Sequence, residues 1–582
     1  MTNKKSNKKT SIWQHIKHYI KSPDFVVLLI LLATTLLVLL PLLSAHSYML
    51  GHDSKYHIES VIGLEKGNLW NFFNLKIIPD FAGNLGYGAG IFYPQFPHYL
   101  AAAIFHIFKG IGLGPIAAIK IVYIMVVFFS GYFMYRFLRH NFRRRTPALL
   151  AAIIYMTAPY LVSDILVRDA MNETYVFLFI PVALFGFQSL VEKNYRRFLI
   201  LFTIGYIGLV NTHLVLTMYF TIFFALAALF FVKDWFNVRS IKYIIISIAL
   251  VALSSVFFLV PMLQHKNAAN YEVFNGGMYT RESVAGGAMR LSDHLSGLYT
   301  GDPTEASVVL FSSVFAITLA AFAAFRYKNI TSSKNKKVLL VFGITFCILA
   351  VFVSGEFMPW LQLPEFLAAI QFPWRVITFL TVGLTLLAGL TLDRLEVKAI
   401  SPVSIICIIC CIAYIAFIHG SIINITENYD TAPLSALTKK QYWDYYPMGL
   451  KDKIQTFEPD RDQKALIVNG KATISEFNNT PTLLSFRVND ASEPTTIEIP
   501  KIYYLGYEIV TDSGEHVPYS EGTNGLIEFT LDHDATISVR YINTRAGQIA
   551  SVVSGLTLIG FGVYALTPRK IWYNKLNAKT KV

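Results

Sequence analysis

Cysteine is scarce in this chain, and so is charge. Only four cysteines occur in 582 residues, Cys347, Cys407, Cys410 and Cys411, all inside apolar runs. That usage implies no extracellular disulfide framework. A Cys-x-x-Cys reading at Cys407 and Cys410 fails because no polar neighbours suit metal or redox work. Charged residues are 15% of the chain against 54% hydrophobic, the balance of a polytopic membrane protein. Acidic residues are the rarer sign, 37 against 50 basic, for a net charge of +13. In a soluble chain that excess would suggest nucleic acid. Here Lys and Arg gather in short loops between apolar spans, so they report topology and no nucleic-acid partner is expected. A phosphate loop is missing as well: the glycine-rich run from Gly86 to Pro97 has no Lys followed by Ser or Thr and follows no strand.

What the chain does have is a succession of long apolar runs. Lys4, Lys5, Lys8, Lys9, Lys17 and Lys21 precede the first, Phe25 to Ala45, whose length of about 20 residues crosses a bilayer. We read a retained first helix behind a cytoplasmic basic tail, residues 1–24. The segment from His98 to Leu113 is ambiguous. Letting it cross would put Arg139, Arg143, Arg144 and Arg145 outside, so it is expected to lie along the membrane. Further spans follow at 116–138, 147–166, 174–191, 198–211, 214–232, 243–263, 307–326, 338–354, 376–392, 402–419 and 549–566. The expected fold is mainly α, a polytopic bundle of about 12 transmembrane helices with both termini cytoplasmic.

The long outer segments are 46–115, 264–306, 355–375 and 420–548, and function is sought there. Residues 420–548 carry strand-like runs at 465–468, 483–488, 496–499, 507–510, 527–531 and 537–542, which read as an extracellular β-sandwich domain. Residues 25–419 form the core, and 549–582 the last span with a basic cytoplasmic tail.

Polar residues concentrate on one side. Gly51-His52-Asp53-Ser54-Lys55-Tyr56-His57-Ile58-Glu59 follows the first span, with Asp53 and His57 four residues apart on one helix face. Asp53 fits two roles, a helix N-cap or a chemical group. Asp80 and the aromatic run from Gly86 to Pro97 come next, its glycines permitting close backbone approach. Arg168-Asp169-Ala170-Met171-Asn172-Glu173 is a turn so short that its charges sit at the membrane edge; mutual neutralisation explains part of it. His213 occupies another short outer turn, where an interfacial hydrogen-bonding role competes with a ligand role. Gln371-Phe372-Pro373-Trp374-Arg375 directly precedes a span, so belt and snorkelling roles are open to Trp374 and Arg375. Arg168 and Arg375 both run against the charge bias of the inner loops, and a phosphate anion would account for both.

An aspartate in the first outer loop, a juxtamembrane aromatic-proline segment, many helices and a C-terminal outer β domain resemble the GT-C class of integral-membrane glycosyltransferases. Within it the chain looks most like the bacterial YfhO-like, 6-pyruvoyl-tetrahydropterin-synthase-related membrane proteins. The matching pieces are Gly51-His52-Asp53 with His57, Gly86 to Pro97, Arg168 to Glu173, Gln371 to Arg375, and Tyr442-Trp443-Asp444-Tyr445-Tyr446-Pro447. The resemblance implies transfer of a sugar from a polyprenyl-phosphate donor to an envelope polymer or glycolipid acceptor on the outer face of the cell membrane. It implies Asp53 as base, Arg168 and Arg375 as phosphate ligands, and supporting roles for His57, Glu59, Asp80, Glu173 and His213. A single Asp53, in place of paired acids, leaves a divalent metal open; no other cofactor is implied. A lipid or polysaccharide flippase is the rival reading, although its usual internal repeats are not apparent. A non-catalytic envelope-assembly protein is the third.

Overall fold

The computed structural model describes residues 22–44, 51, 53–67, 73–79, 84–275, 280–290, 334–426, 444–450, 464–480 and 482–568. His52, Asp80, Tyr442, Trp443, residues 1–21 and 569–582 of the basic tails and the apolar run 307–326 lie outside the described residues. The chain is mainly helical, with a C-terminal domain of two β-sheets that precedes its last described helix.

The principal helices are α1 Pro23–Val38, α2 Ser54–Lys66, α3 Phe96–Phe108, α4 Pro115–Asn141, α5 Arg145–Met156, α6 Pro159–Leu166 and α7 Met171–Val191. They continue as α8 Tyr195–Thr212, α9 Leu214–Leu229, α10 Val238–Lys266, α11 Lys334–Ser354, α12 Ile377–Arg394, α13 Pro402–Thr426 and α14 Arg545–Leu566. Among the described residues seven helices are long and apolar enough to cross a membrane: α4, α7, α10, α11, α12 with its preceding turn, α13 and α14. An eighth arises if α5 and α6, bent by 40°, count together; α1 and α9 are shorter apolar helices. The sequence read 147–166 as one span. Pro159 breaks it, because it donates no N–H and holds Ala158 extended at φ −62°, ψ 134°.

Contacts between successive turns sort the helix ends into two groups. Arg144 pairs with Glu396, His140 with Glu192, Lys336 with Asp393, and Arg196 bonds the carbonyls that end α14, all at one end of the bundle. The β domain sits at the opposite end.

Its sheets are antiparallel, with orders β1-β4-β7-β6 and β2-β3-β8-β5 for strands β1 Leu466–Asn469, β2 Thr473–Asn479, β3 Leu484–Asn489, β4 Thr495–Ile502, β5 Tyr507–Thr511, β6 Tyr519–Glu521, β7 Leu526–Leu531 and β8 Ala535–Tyr541. Alternate residues such as Leu484, Phe486 and Val488 share one core with Ile497, Ile527, Phe529 and Ile537. Two strands escaped the sequence reading, β2 and β6. Both are sheet edges with few apolar side chains, so they carry little of the alternation that marks a half-buried strand.

The β domain is bonded to the bundle. Ile502 N–H donates to Leu85 O (3.1 Å), Lys501 Nζ to Asn84 O (2.7 Å), Leu505 N–H to His265 Nε2 (3.0 Å), and Tyr271 OH to Tyr503 O (3.1 Å). Gly88 lies under Tyr504, where a Cβ would come within 2.7 Å of the ring. The close approach that glycine permits in this run is therefore to the β domain and, at Gly90, to Lys76. The Lys76 side chain is buried over the Phe257 ring, and burial pushes its ammonium down to about 7.

Candidate functional site

A cavity of about 1160 Å³ opens at the β-domain end, large enough for a ligand of many atoms. Six of the sequence-nominated residues line it: Asp53, His57, Arg168, Glu173, His213 and Arg375. Glu59 does not; it is buried near Tyr446.

Asp53 occupies the N-cap position of α2, but its carboxylate makes no capping hydrogen bond. The helix start is held differently. Ser54 Oγ accepts from Gly51 N–H (2.6 Å), and Asp53 N–H donates to Arg168 O (3.2 Å), which ties this loop to the 167–169 turn. Gly51 is required there, since a Cβ would lie 2.6 Å from Val167 O. Asp53 is left exposed at the cavity, near enough to Arg168 and Tyr56 to act on both electrostatically.

The arginines are anchored by acids within the protein. Arg168 Nη1 donates to Asp164 Oδ1 (2.5 Å), Glu173 Oε2 (3.2 Å) and Tyr160 OH (3.3 Å). Arg375 Nε lies 3.4 Å from the same Glu173 oxygen, and its Nη1 donates to Ile370 O and Gln371 Oε1, both 3.0 Å. Tyr160 OH fills the other Glu173 oxygen at 2.5 Å. Two cations thus meet two buried carboxylates, and an external anion is not needed to explain why these arginines sit here. The geometry still leaves donors. Among the described residues no hydrogen bond uses Arg168 Nε or Nη2, or Arg375 Nη2. Each guanidinium therefore keeps part of its fork for a ligand in the cavity.

His57 and His98 brace the site from behind. His57 Nε2–H donates to Asp169 O (2.5 Å), so its Nδ1 accepts from His98 Nε2–H (2.7 Å). A carbonyl only accepts, so with both rings neutral this bond, much shorter than the 3.4 Å from Met171 N–H to the same Nε2, assigns the pair of tautomers. Burial, reinforced by His57, holds the His98 imidazole well below its ordinary range. Asp169 is held at φ 56° between this bond and one from Tyr123 OH to its carboxylate. Gln371 is also in the left-handed region, at φ 65°. Both outliers adjoin the ion cluster, the kind of place where backbone strain persists.

His213 caps α9, its Nδ1 accepting from Leu216 N–H (3.2 Å), and its ring packs edge-on against Tyr93 at 5.9 Å. Burial and the nearby Arg375 cation push this imidazole down to about 3. Asn172 joins three segments, donating to Pro94 O (2.5 Å) and Thr212 O (2.9 Å). Tyr445 stacks on Phe92 at 5.6 Å, and Asp444 beside it lines the cavity.

Sequence reasoning missed Tyr160, Asp164, Asn172 and Asp444. Asp164 carried a signal: a lone acid inside an apolar span is itself a marker of a polar site. Asn172 and Asp444 stood within quoted motifs without being nominated. No group of three or more His, Cys, Asp or Glu that would hold a metal occurs among the described residues.

No protein-family model matches the chain. It is 21% identical to a protein of Lactococcus lactis subsp. cremoris (strain MG1363) described as uncharacterized, over 94% of this chain and 96% of the relative. The whole architecture, bundle and β domain together, is therefore covered by the likeness.

Proposed function

We propose that the protein is an integral-membrane glycosyltransferase of GT-C type that moves a sugar from a polyprenyl-phosphate donor to an envelope polymer or glycolipid on the outer face of the cell membrane. The observation that carries this reading is the uncapped Asp53 carboxylate at a large cavity that is also lined by two anchored guanidiniums. Asp53 takes the proton of the acceptor hydroxyl as its oxygen attacks the anomeric carbon. The bond from that carbon to the donor phosphate breaks, and Arg168 and Arg375 hold the departing lipid phosphate. Attack opposite the leaving group inverts the anomeric centre.

In this reading Glu173 is a positioning residue, not a base, since both its oxygens are engaged by Tyr160, Arg168 and Arg375. His57 positions the 167–169 turn, and His213 sets the helix start beside Arg375. The cavity end is extracellular and both termini are cytoplasmic, with about 12 spans once α1, α8, α9 and the 307–326 run join the eight. The two sheets close as a sandwich over the site. Anchored arginines and a large cavity would also serve a flippase; an unengaged carboxylate beside them favours proton abstraction.

The test is Asp53→Asn in cells, with membrane insertion verified and the sugar content of surface polymers compared. Loss of one sugar with normal insertion is expected; unchanged glycosylation sinks the assignment.

A further inference from the structure

A second cavity, of about 730 Å³, lies at the far end of the bundle between α1, α4, α7 and α8. Five arginines and a single carboxylate, Asp24, line it. Two of the arginines are neutralised: Arg145 pairs with Asp24 (3.1 Å), and Arg197 is bonded to Glu192. Three are not. Arg136 donates to Tyr132 OH (3.1 Å), Arg139 to Phe142 O (2.8 Å), and Arg196 to the carbonyls closing α14; none has a carboxylate partner among the described residues. Three unneutralised guanidiniums around one cavity exceed what the sorting of basic residues to one membrane side requires, because that bias asks for charge in loops, not convergence on a pocket.

Beside Tyr132, Tyr135, His140 and Asn194, one side of the wall is apolar. Val27, Leu28, Ile200 and Leu201 line the same cavity. On the same helices Val26, Leu29, Ile30 and Ile204 are exposed, so the lining runs on into a bare apolar surface. A ligand matched to this wall has an anionic head that takes guanidinium forks and a hydrocarbon tail that leaves along α1 and α8.

We propose that this cavity binds the phosphodiester headgroup of an acidic membrane phospholipid, with Arg136 and Arg139 as principal ligands. The site is distinct from the Asp53 cavity: along α7 the nearest lining residues, Glu173 and Phe185, are separated by about 18 Å at 1.5 Å per residue. Its assignment to the cytoplasmic leaflet rests on the proposed topology; binding itself does not.

The test uses the full-length protein in a neutral maltoside detergent, titrated separately with phosphatidylglycerol, phosphatidylcholine and inorganic phosphate and read by native mass spectrometry. Saturable phosphatidylglycerol binding is expected, weakened by about thirtyfold in Arg136→Gln/Arg139→Gln. Arg143→Gln, an exposed neighbour outside the cavity, should bind as the wild type does and controls for a general loss of charge. Equal binding by the double variant, or equal binding of phosphatidylcholine, overturns the proposal. Inorganic phosphate binding as tightly as the lipid overturns the lipid source and makes this a free-phosphate site. No sugar donor is present, so failure here leaves glycosyl transfer untouched.

Discussion

At the β-domain end of the bundle Glu173 is 2% exposed and shared by two arginines, whereas at the far end the Arg144–Glu396 pair is 43% and 71% exposed. The residue types are the same and their energetic roles are not. Water screens the far-end pair, and such pairs contribute about 0–1 kcal/mol. Around Glu173 solvent is excluded, so the carboxylate cannot be removed without stranding charge. Buried charge of this kind is weak evidence for stability and better evidence for position. It fixes two guanidiniums with part of each fork still open, while at the far end Arg136, Arg139 and Arg196 have no carboxylate partner among the described residues.

The contrast can be broken most forcefully at Glu173. Glu173→Ala should cost about 3–5 kcal/mol, read as a lowered thermal midpoint in detergent, because Arg168 and Arg375 lose their shared partner. A loss under 1 kcal/mol would mean that water reaches the cluster. Gly51→Ala should cost about 1–3 kcal/mol, since the new methyl meets the 167–169 turn that Asp53 and Arg168 share.

Acid sharpens the comparison next. The folded-state pKa of His213 is about 3, below the unfolded value near 6.5, so the unfolded chain binds the extra proton between them. Stability contributed by neutral His213 is full above pH about 6.5 and lost as pH falls, by at most about 1.4 kcal/mol per unit. His98 acts with the same sign. His213→Asn keeps a capping acceptor and should flatten the acid limb of a midpoint-against-pH curve. The smallest effect belongs to the far end: Arg144→Ala should shift stability by no more than about 1 kcal/mol, and added salt should mask even that.

Much of this contrast could be read from the chain before its structure. Runs of apolar residues bounded by basic turns announce helices such as α4, α7 and α10, because a long continuous apolar segment satisfies its own backbone groups in hydrocarbon only as a helix. Arg168 and Arg375 stood out as charges on the wrong side. Asp164, the partner of Arg168, did not, since it lies in a span whose break at Pro159 goes unmarked by hydropathy. Asp53 shows the opposite limit. An aspartate before a helix reads as a cap, and only the placement of Ser54 and Gly51 reveals that the helix start is held without it. Asp444 reaches the cavity from a segment hundreds of residues distant, a proximity that no local pattern encodes.

The central claim is that Asp53 is the base of a lipid-phosphate sugar site. Purified protein incubated with polyprenyl-phosphate sugars and extracted envelope polymer, with release of the lipid phosphate followed by mass spectrometry, tests it most directly. Release by the wild type and a fall of about 10²–10⁴-fold in Asp53→Asn, at an unchanged thermal midpoint, is the predicted result. Release at the wild-type rate by Asp53→Asn would contradict the claim.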